Sequence, residues 1–172
     1  MKKIKTPFKG LLIYQNKRFD DKRGFLREVF HKYIIKKNLI FSVTSSSKKN
    51  VLRGLHLQTK KSLDKYVTVL KGKILDVVVD LRKKSKTYGK HFKIILDENN
   101  SKFLFIPKGF AHGFLGLGKE NIVLYSCTNY RHAKSEKAVL WNDKDLKIKW
   151  GIKKPIISKK DRSAQKFKDI KF

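Results

Sequence analysis

An all-β fold, a sandwich or a barrel, is the class this sequence predicts, and three observations carry the prediction. Apolar residues alternate with polar ones or run in blocks of strand length. Glycine, proline and asparagine punctuate the chain at short intervals, and helical spacing with caps is hard to find. In chain order, VLRGLHLQ (51–58) reads as a strand, and KYVTVLKGKILDVVVDL (65–81) as two strands joined at Lys71-Gly72, a hairpin signal. HFKIILD (91–97), KFLFIP (102–107) and NIVLYSCTNY (121–130) repeat the pattern, separated by Glu98-Asn99-Asn100, Lys108-Gly109 and the stretch from Gly116 to Gly118. Short helical turns are expected near 31–38 and 161–168. With three prolines, no low-complexity stretch and no internal repeat, residues 1–172 read as one domain.

Composition bounds the function. At 172 residues, 40% hydrophobic and 12% aromatic, the chain can bury a single core and disorder is not expected. No apolar run approaches the roughly 18 residues that cross a bilayer. The opening MKKIKTPFKGLLIYQNKRF has too short an apolar stretch before Gln15 and Lys17 to be a signal peptide, so a soluble cytoplasmic protein without membrane contact is expected. A lone Cys127 has no cysteine partner for a disulfide or for zinc, in keeping with a reducing compartment. The 43 Lys and Arg against 14 acids give a net charge of +29, which taken alone points to a polyanion. The lysines, however, are spread in ones and twos along the chain, with no arginine-rich arm, zinc-finger spacing or aromatic-glycine RNA-binding signature. Specific nucleic-acid binding is therefore not expected, although the positive field favours a phosphate-bearing small substrate.

One strand carries polar residues that a core does not need. In VLRGLHLQ, apolar Val51, Leu52, Leu55 and Leu57 bracket Arg53, His56 and Gln58, so three polar heads are expected to share one enclosed space.

RGLHLQ (53–58), the run from Lys65 through DVVVDLRKKSKTYGK (76–90), IPKGFAHGF (106–114), LYSCTNY (124–130), WNDKDLKIKW (141–150) and SKKD (158–161) resemble, in order and at compatible spacing, the signatures of the dTDP-4-dehydrorhamnose 3,5-epimerase family. The resemblance is collinear over about residues 7–165. It implies a cupin jelly-roll with a few short helices, a homodimer, and activity without metal on a nucleotide-linked 4-keto sugar in surface polysaccharide synthesis.

Metal-holding cupins place H-x-H and a Glu on one strand pair and a further histidine in P-x-G-x-x-H. The latter is present from Pro107 to His112, but His56 is followed by Leu57-Gln58, and the place of the Glu lies close to Lys65. An ammonium in the cage repels a divalent cation, so the pocket is expected to do acid-base work without a cofactor.

That work has a simple form. The hydrogens at C3 and C5 flank the C4 carbonyl, so removing one gives an enolate, and protonation from the opposite face inverts the centre. Imidazole titrates near neutrality, and His56 is the expected base. By resemblance, Asp161 orients His56, Lys65 sits near the developing oxyanion, Tyr125 is the acid on the far face, and His112 belongs to the site. FDDKRGFLREVF (19–30) resembles the family's D-x-R-G-x-F-x-E segment, with Arg23 and Glu28 matching and the phenylalanine one place off at Phe25. In the family this arm reaches a neighbouring subunit's nucleotide, so Arg23 and Arg53 are expected to grip diphosphate. Gln58 and Arg131 complete the expected substrate contacts.

Two departures leave the base, the sugar length and the number of inverted centres open. The family's Q-x-N-x-S becomes FSVTSSS, with Phe41 and Val43 at the polar positions, and its Tyr-Tyr pair becomes Tyr130-Arg131. A sugar 3,4-ketoisomerase on the same scaffold is the enzymatic alternative, opposed by Leu57-Gln58 where that family has a second histidine. A non-catalytic basic module for polyanions is the alternative from another class.

Overall fold

The computed structural model describes residues 1–170; the last two residues of the expected 1–172 domain lie outside the described residues. The strands are β1 (Lys2–Lys5), β2 (Leu12–Gln15), β3 (Arg18–Asp21), β4 (Gly24–Arg27), β5 (Phe41–Lys48), β6 (Leu52–Gln58), β7 (Lys65–Lys71), β8 (Lys73–Asp80), β9 (His91–Asp97), β10 (Lys102–Ile106), β11 (Phe110–Gly116), β12 (Glu120–Cys127) and β13 (Glu136–Ala138). Helix α1 spans Lys32–Ile35 and α2 spans Lys159–Arg162, with 3₁₀ turns at Ala133–Ser135 and Phe167–Asp169. A six-stranded sheet, β1-β2-β10-β7-β12-β5, faces a five-stranded sheet, β13-β6-β11-β8-β9, and β3-β4 forms a separate hairpin. The expected all-β sandwich with few short helices is what the chain forms.

The inner strands β7, β8, β10 and β11 are covered on both faces, and for that reason they read as apolar runs instead of clean alternation. Between the sheets, Val67, Val69, Leu104 and Val123 meet Ile74, Val78, Leu96 and Phe114. On the outer face of the five-stranded sheet, Val77 and Val79 pack with Leu55, Leu57, Leu146 and Trp150 from the C-terminal segment. On the outer face of the six-stranded sheet, Tyr14, Tyr66 and Phe103 are covered by Ile35 of α1. Val77, Val78 and Val79 thus alternate between two separate cores, as pleating requires.

The Lys71-Gly72 turn corrects an expectation. β7 pairs with β10 and β12, whereas β8 pairs with β11 and β9, so the two strands do not form a hairpin. The chain instead crosses from one sheet to the other. Gly72 has φ +81°, and a Cβ there would collide with the carbonyl oxygen of Glu120. The helical turn expected at 161–168 starts earlier, at Lys159, and ends at Arg162; the one near 31–38 shrinks to four residues, closed by Lys36 in the left-handed region.

The loop after β8 is held by a buried carboxylate. Asp80 accepts from Arg82 Nε (2.8 Å) and Nη2 (2.7 Å), Ser85 Oγ (2.6 Å) and Thr87 Oγ1 (2.6 Å). Burial alone would raise the Asp80 carboxyl; these donors outweigh it and hold the group at about 2. Because the folded value lies below the ordinary one, the stabilisation is present above about pH 4 and is lost as pH falls toward 2. Asp80→Ala is expected to cost about 3 kcal/mol at pH 7, the scale for breaking a buried charged network. Urea midpoints of the two proteins should differ at pH 7 and converge toward pH 2; an equal gap at both would remove the ionised carboxylate as the cause.

Candidate active site

A bulge in β6 builds the site. Strict alternation would put Arg53 and His56, three residues apart, on opposite faces of the sheet. Against β11, however, His112 is opposite His56 while Phe114 is opposite Arg53, so β6 holds one residue more than its partner between these points. The extra residue falls at Gly54, φ +121°, where a Cβ would overlap Gly113 Cα. Leu52, Leu55 and Leu57 then all point to the outer core, and Arg53, His56 and Gln58 all line one cavity of about 660 Å³.

The bulge also presents Gly54 N–H to the next element. The segment before α2 bridges β6 through Val51 and Ile156, with Leu52 N–H donating to Ile156 O at 2.9 Å. Ser158 caps α2 by accepting from Asp161 N–H at 3.1 Å, which aims the Asp161 carboxylate inward. There Oδ1 lies 2.5 Å from His56 Nε2 and Oδ2 accepts from Gly54 N–H at 3.4 Å. Burial would raise the Asp161 carboxyl, but His56, Gly54 and Ser158 together hold it below the ordinary aspartate value. With Nε2 engaged, Nδ1 is the imidazole nitrogen left for proton transfer.

The facing sheet supplies the counterpart. Tyr125 on β12 lines the same cavity, packed edge-on to His112 at 6.3 Å between ring centroids, and its hydroxyl lies 2.9 Å from Ser45 Oγ on β5. Burial pushes the phenol up to about 12, with Ser45 and Arg53 acting in the opposite direction, so it is a protonated donor at neutral pH. Lys65 opens β7 beneath the cavity. Burial lowers its ammonium pKa from the ordinary lysine value, partly offset by Cys127, Glu136 and Asp76.

His112, 4% exposed, is anchored by a 2.8 Å contact from Nε2 to Asp76 Oδ2, and the other Asp76 oxygen has no partner among the described residues. Arg53 donates to Ser47 Oγ (2.9 Å) and Ser46 O (3.0 Å), which fixes the guanidinium at the cavity wall. At the rim, Glu136 accepts from Arg131 (2.8 Å) and Lys160 (2.7 Å); burial opposes them, yet they hold its carboxyl at about 2.

His56, Asp161, Lys65, Tyr125, Arg53, Gln58, His112 and Arg131, all singled out in the sequence, therefore converge. Gln58 lines the cavity with its amide already committed: Nε2 donates to Lys61 O and Tyr130 O, and Oε1 accepts from His132 N–H. Arg23, Phe25 and Glu28 do not line the cavity of their own chain. They lie on or beside the β3-β4 hairpin, where Arg23 pairs with Asp21 and its side chain is 84% exposed. Sequence reasoning missed Asp76, Ser45 and Glu136. Asp76 carried a signal, an acid inside the apolar run KILDVVVDL, and Ser45 stands at the serine of the family's Q-x-N-x-S pattern; Glu136 carried none beyond its residue type. No group of three or more His, Cys, Asp or Glu side chains among the described residues is placed to hold a metal ion.

An imidazole on one sheet paired with a carboxylate from α2, and a phenol on the other sheet lining the same cavity, define a cupin-type isomerase working by proton transfer at carbon. Comparison with known proteins supports this class. A family model described as dTDP-4-dehydrorhamnose 3,5-epimerase matches residues 5–169. The enzyme of that name from Methanothermobacter thermautotrophicus is 41% identical, over 93% of this chain and 91% of its own length, and the one from Shigella flexneri is 38% identical over 100% and 99%. The crystal structure of dTDP-6-deoxy-D-glucose-3,5-epimerase from Legionella pneumophila in complex with dTDP-4-keto-L-rhamnose superposes with a TM-score of 0.94 at 36% identity, covering 99% of this chain and 94% of that one. The chain belongs to the dTDP-4-dehydrorhamnose 3,5-epimerase family.

Proposed function

We propose that the chain inverts C3, C5 or both in a dTDP-linked 4-keto-6-deoxy sugar for surface polysaccharide synthesis. The observation that carries this reading is His56 on one sheet with its Asp161 partner on α2, and Tyr125 on the sheet across the cavity. His56 Nδ1 takes the α-proton, Asp161 stabilises the imidazolium, Lys65 and His112 face the enolate oxygen, and Tyr125 O–H protonates carbon from the other side. Arg53, Arg131 and Lys160 supply cations for the diphosphate. The ketoisomerase and polyanion-module alternatives are not favoured by the relatives found.

The same reading gives the exposed hairpin a role. Phe19 (59% exposed) and Leu26 (74%), paired across β3-β4, leave an apolar surface that the chain itself does not cover, while Phe25 (45%) lies on the other face with the Arg18 guanidinium 4.0 Å over its ring. In a homodimer this hairpin closes the partner's cavity, bringing Arg23, Phe25 and Glu28 to the nucleotide. The enzyme works as a single domain in the cytoplasm, where the buried Cys127 stays reduced.

Lys65 in the cavity supports chemistry without a metal, since an ammonium displaces a divalent cation. In deuterated water, incubation with a dTDP-linked 4-keto-6-deoxy sugar is expected to place deuterium at each inverted carbon, equally before and after prolonged chelation. The deuterium pattern counts the centres. Absence of deuterium at both carbons would overturn the epimerase reading, and activity lost on chelation and restored by one metal would overturn the metal-free mechanism.

A further inference from the structure

We infer that Ser45 is the positioning residue that makes Tyr125 a competent acid. This rests on the reading of Tyr125 as the group that returns the proton. When Tyr125 protonates the enolate carbon, its O–H bond breaks, a C–H bond forms, and a phenolate is left inside a cavity where Phe41, Val43 and Phe114 are apolar and the cations Arg53 and Lys65 make no hydrogen bond to its oxygen. An oxyanion in such a place needs a donor. The donor at hand is Ser45, whose Oγ lies 2.9 Å from the Tyr125 oxygen.

The strand register places it there. Along the β5-β12 ladder Tyr125 is opposite Val43 and Val123 is opposite Ser45, so the serine is the diagonal neighbour on the same face of the sheet. Of the side chains directly opposite and diagonal to the phenol on that face, Phe41, Val43, Val67 and Val69 are apolar, Lys65 makes no hydrogen bond to the phenol, and Ser45 does. Before transfer the serine holds the phenol in register; during transfer its O–H rotates to donate to the phenolate oxygen. Solvent then restores the proton to Tyr125, and His56 releases the one it took, so the cycle closes.

The test compares Ser45→Ala and Ser45→Thr by NMR in deuterated water, following exchange and inversion together. Ser45→Ala is expected to slow inversion by about 10- to 100-fold, the factor a hydrogen bond to a charged group is worth, while exchange from the original face continues. Ser45→Thr, which keeps the hydroxyl, is expected to recover most of the inversion. In a Tyr125→Phe background, Ser45→Ala should cost nothing further in inversion. Equal loss of exchange and inversion, an unchanged Ser45→Ala, or failure of the threonine variant to recover would overturn the role of Ser45. Undiminished inversion in Tyr125→Phe alone would instead remove the tyrosine acid on which it rests.

Discussion

Replacing His56 is expected to lower turnover by about two to four orders of magnitude, the usual contribution of a positioned acid-base group. His56 is the one imidazole of the cavity that combines a carboxylate partner on α2 with access to the open space, its side chain being 28% exposed against 4% for His112. Removing it takes away the base and also leaves Asp161 buried without its main partner. His56→Ala therefore carries a folding cost, about 1–3 kcal/mol for an unsatisfied buried acceptor. His56→Gln, whose terminal amide stands where Nε2 does and can still donate to Asp161, separates the two effects. Both variants should lose deuterium exchange at the substrate carbon, while the glutamine variant melts close to the parent. Near-normal exchange in a folded His56→Gln protein would exclude this residue as the base.

Tyr125→Phe is expected to split the reaction in two. The base and Lys65 stay in place, so His56 can still remove a substrate proton and return a deuteron to the same face. Inversion needs a donor on the other sheet, and it should fall by about 10²- to 10⁴-fold while exchange persists. The phenyl ring keeps the contacts with His112 and Phe114, and the partner left behind, Ser45, is only partly buried, so a folding defect does not explain such a split. NMR of the recovered sugar reads deuterium content and configuration in one experiment. Inversion at the parental rate would shift the acid role to His112 or a bound water.

The two variants probe groups that sequence reasoning reached by different routes. His56 stood out on physical grounds, a polar head bracketed by leucines in a strand. Tyr125 and Asp161 were reached through ordered motifs, because one of six tyrosines and an acid in a lysine-rich tail have nothing in their own neighbourhood to mark them. The structure supplies the local reasons: Ser158 caps the short helix that aims Asp161, and Tyr125 shares the inward face of β12 with Val123.

The sequence by itself determined the all-β class, the position of most inner strands and the excess of positive charge, since these follow from side-chain chemistry and from a period of two read along the chain. HFKIILD shows this best, for its boundaries coincide with β9. What only the tertiary structure decided was which strand lies beside which and which way a side chain points after an irregularity. Lys71-Gly72 looked like a hairpin because a turn signal is local, whereas partnership in a sheet is settled by where distant β10, β11 and β12 dock. Arg53 and His56 share a cavity only because Gly54 and Gly113 let two backbones approach closely enough for a bulge; the polar-apolar pattern shifts phase at Gly54, but the close approach that makes the shift possible is set by how distant β11 docks. Ser45 meets Tyr125 across 80 residues of chain, a pairing that no local signal encodes and that the register of β5 on β12 alone creates.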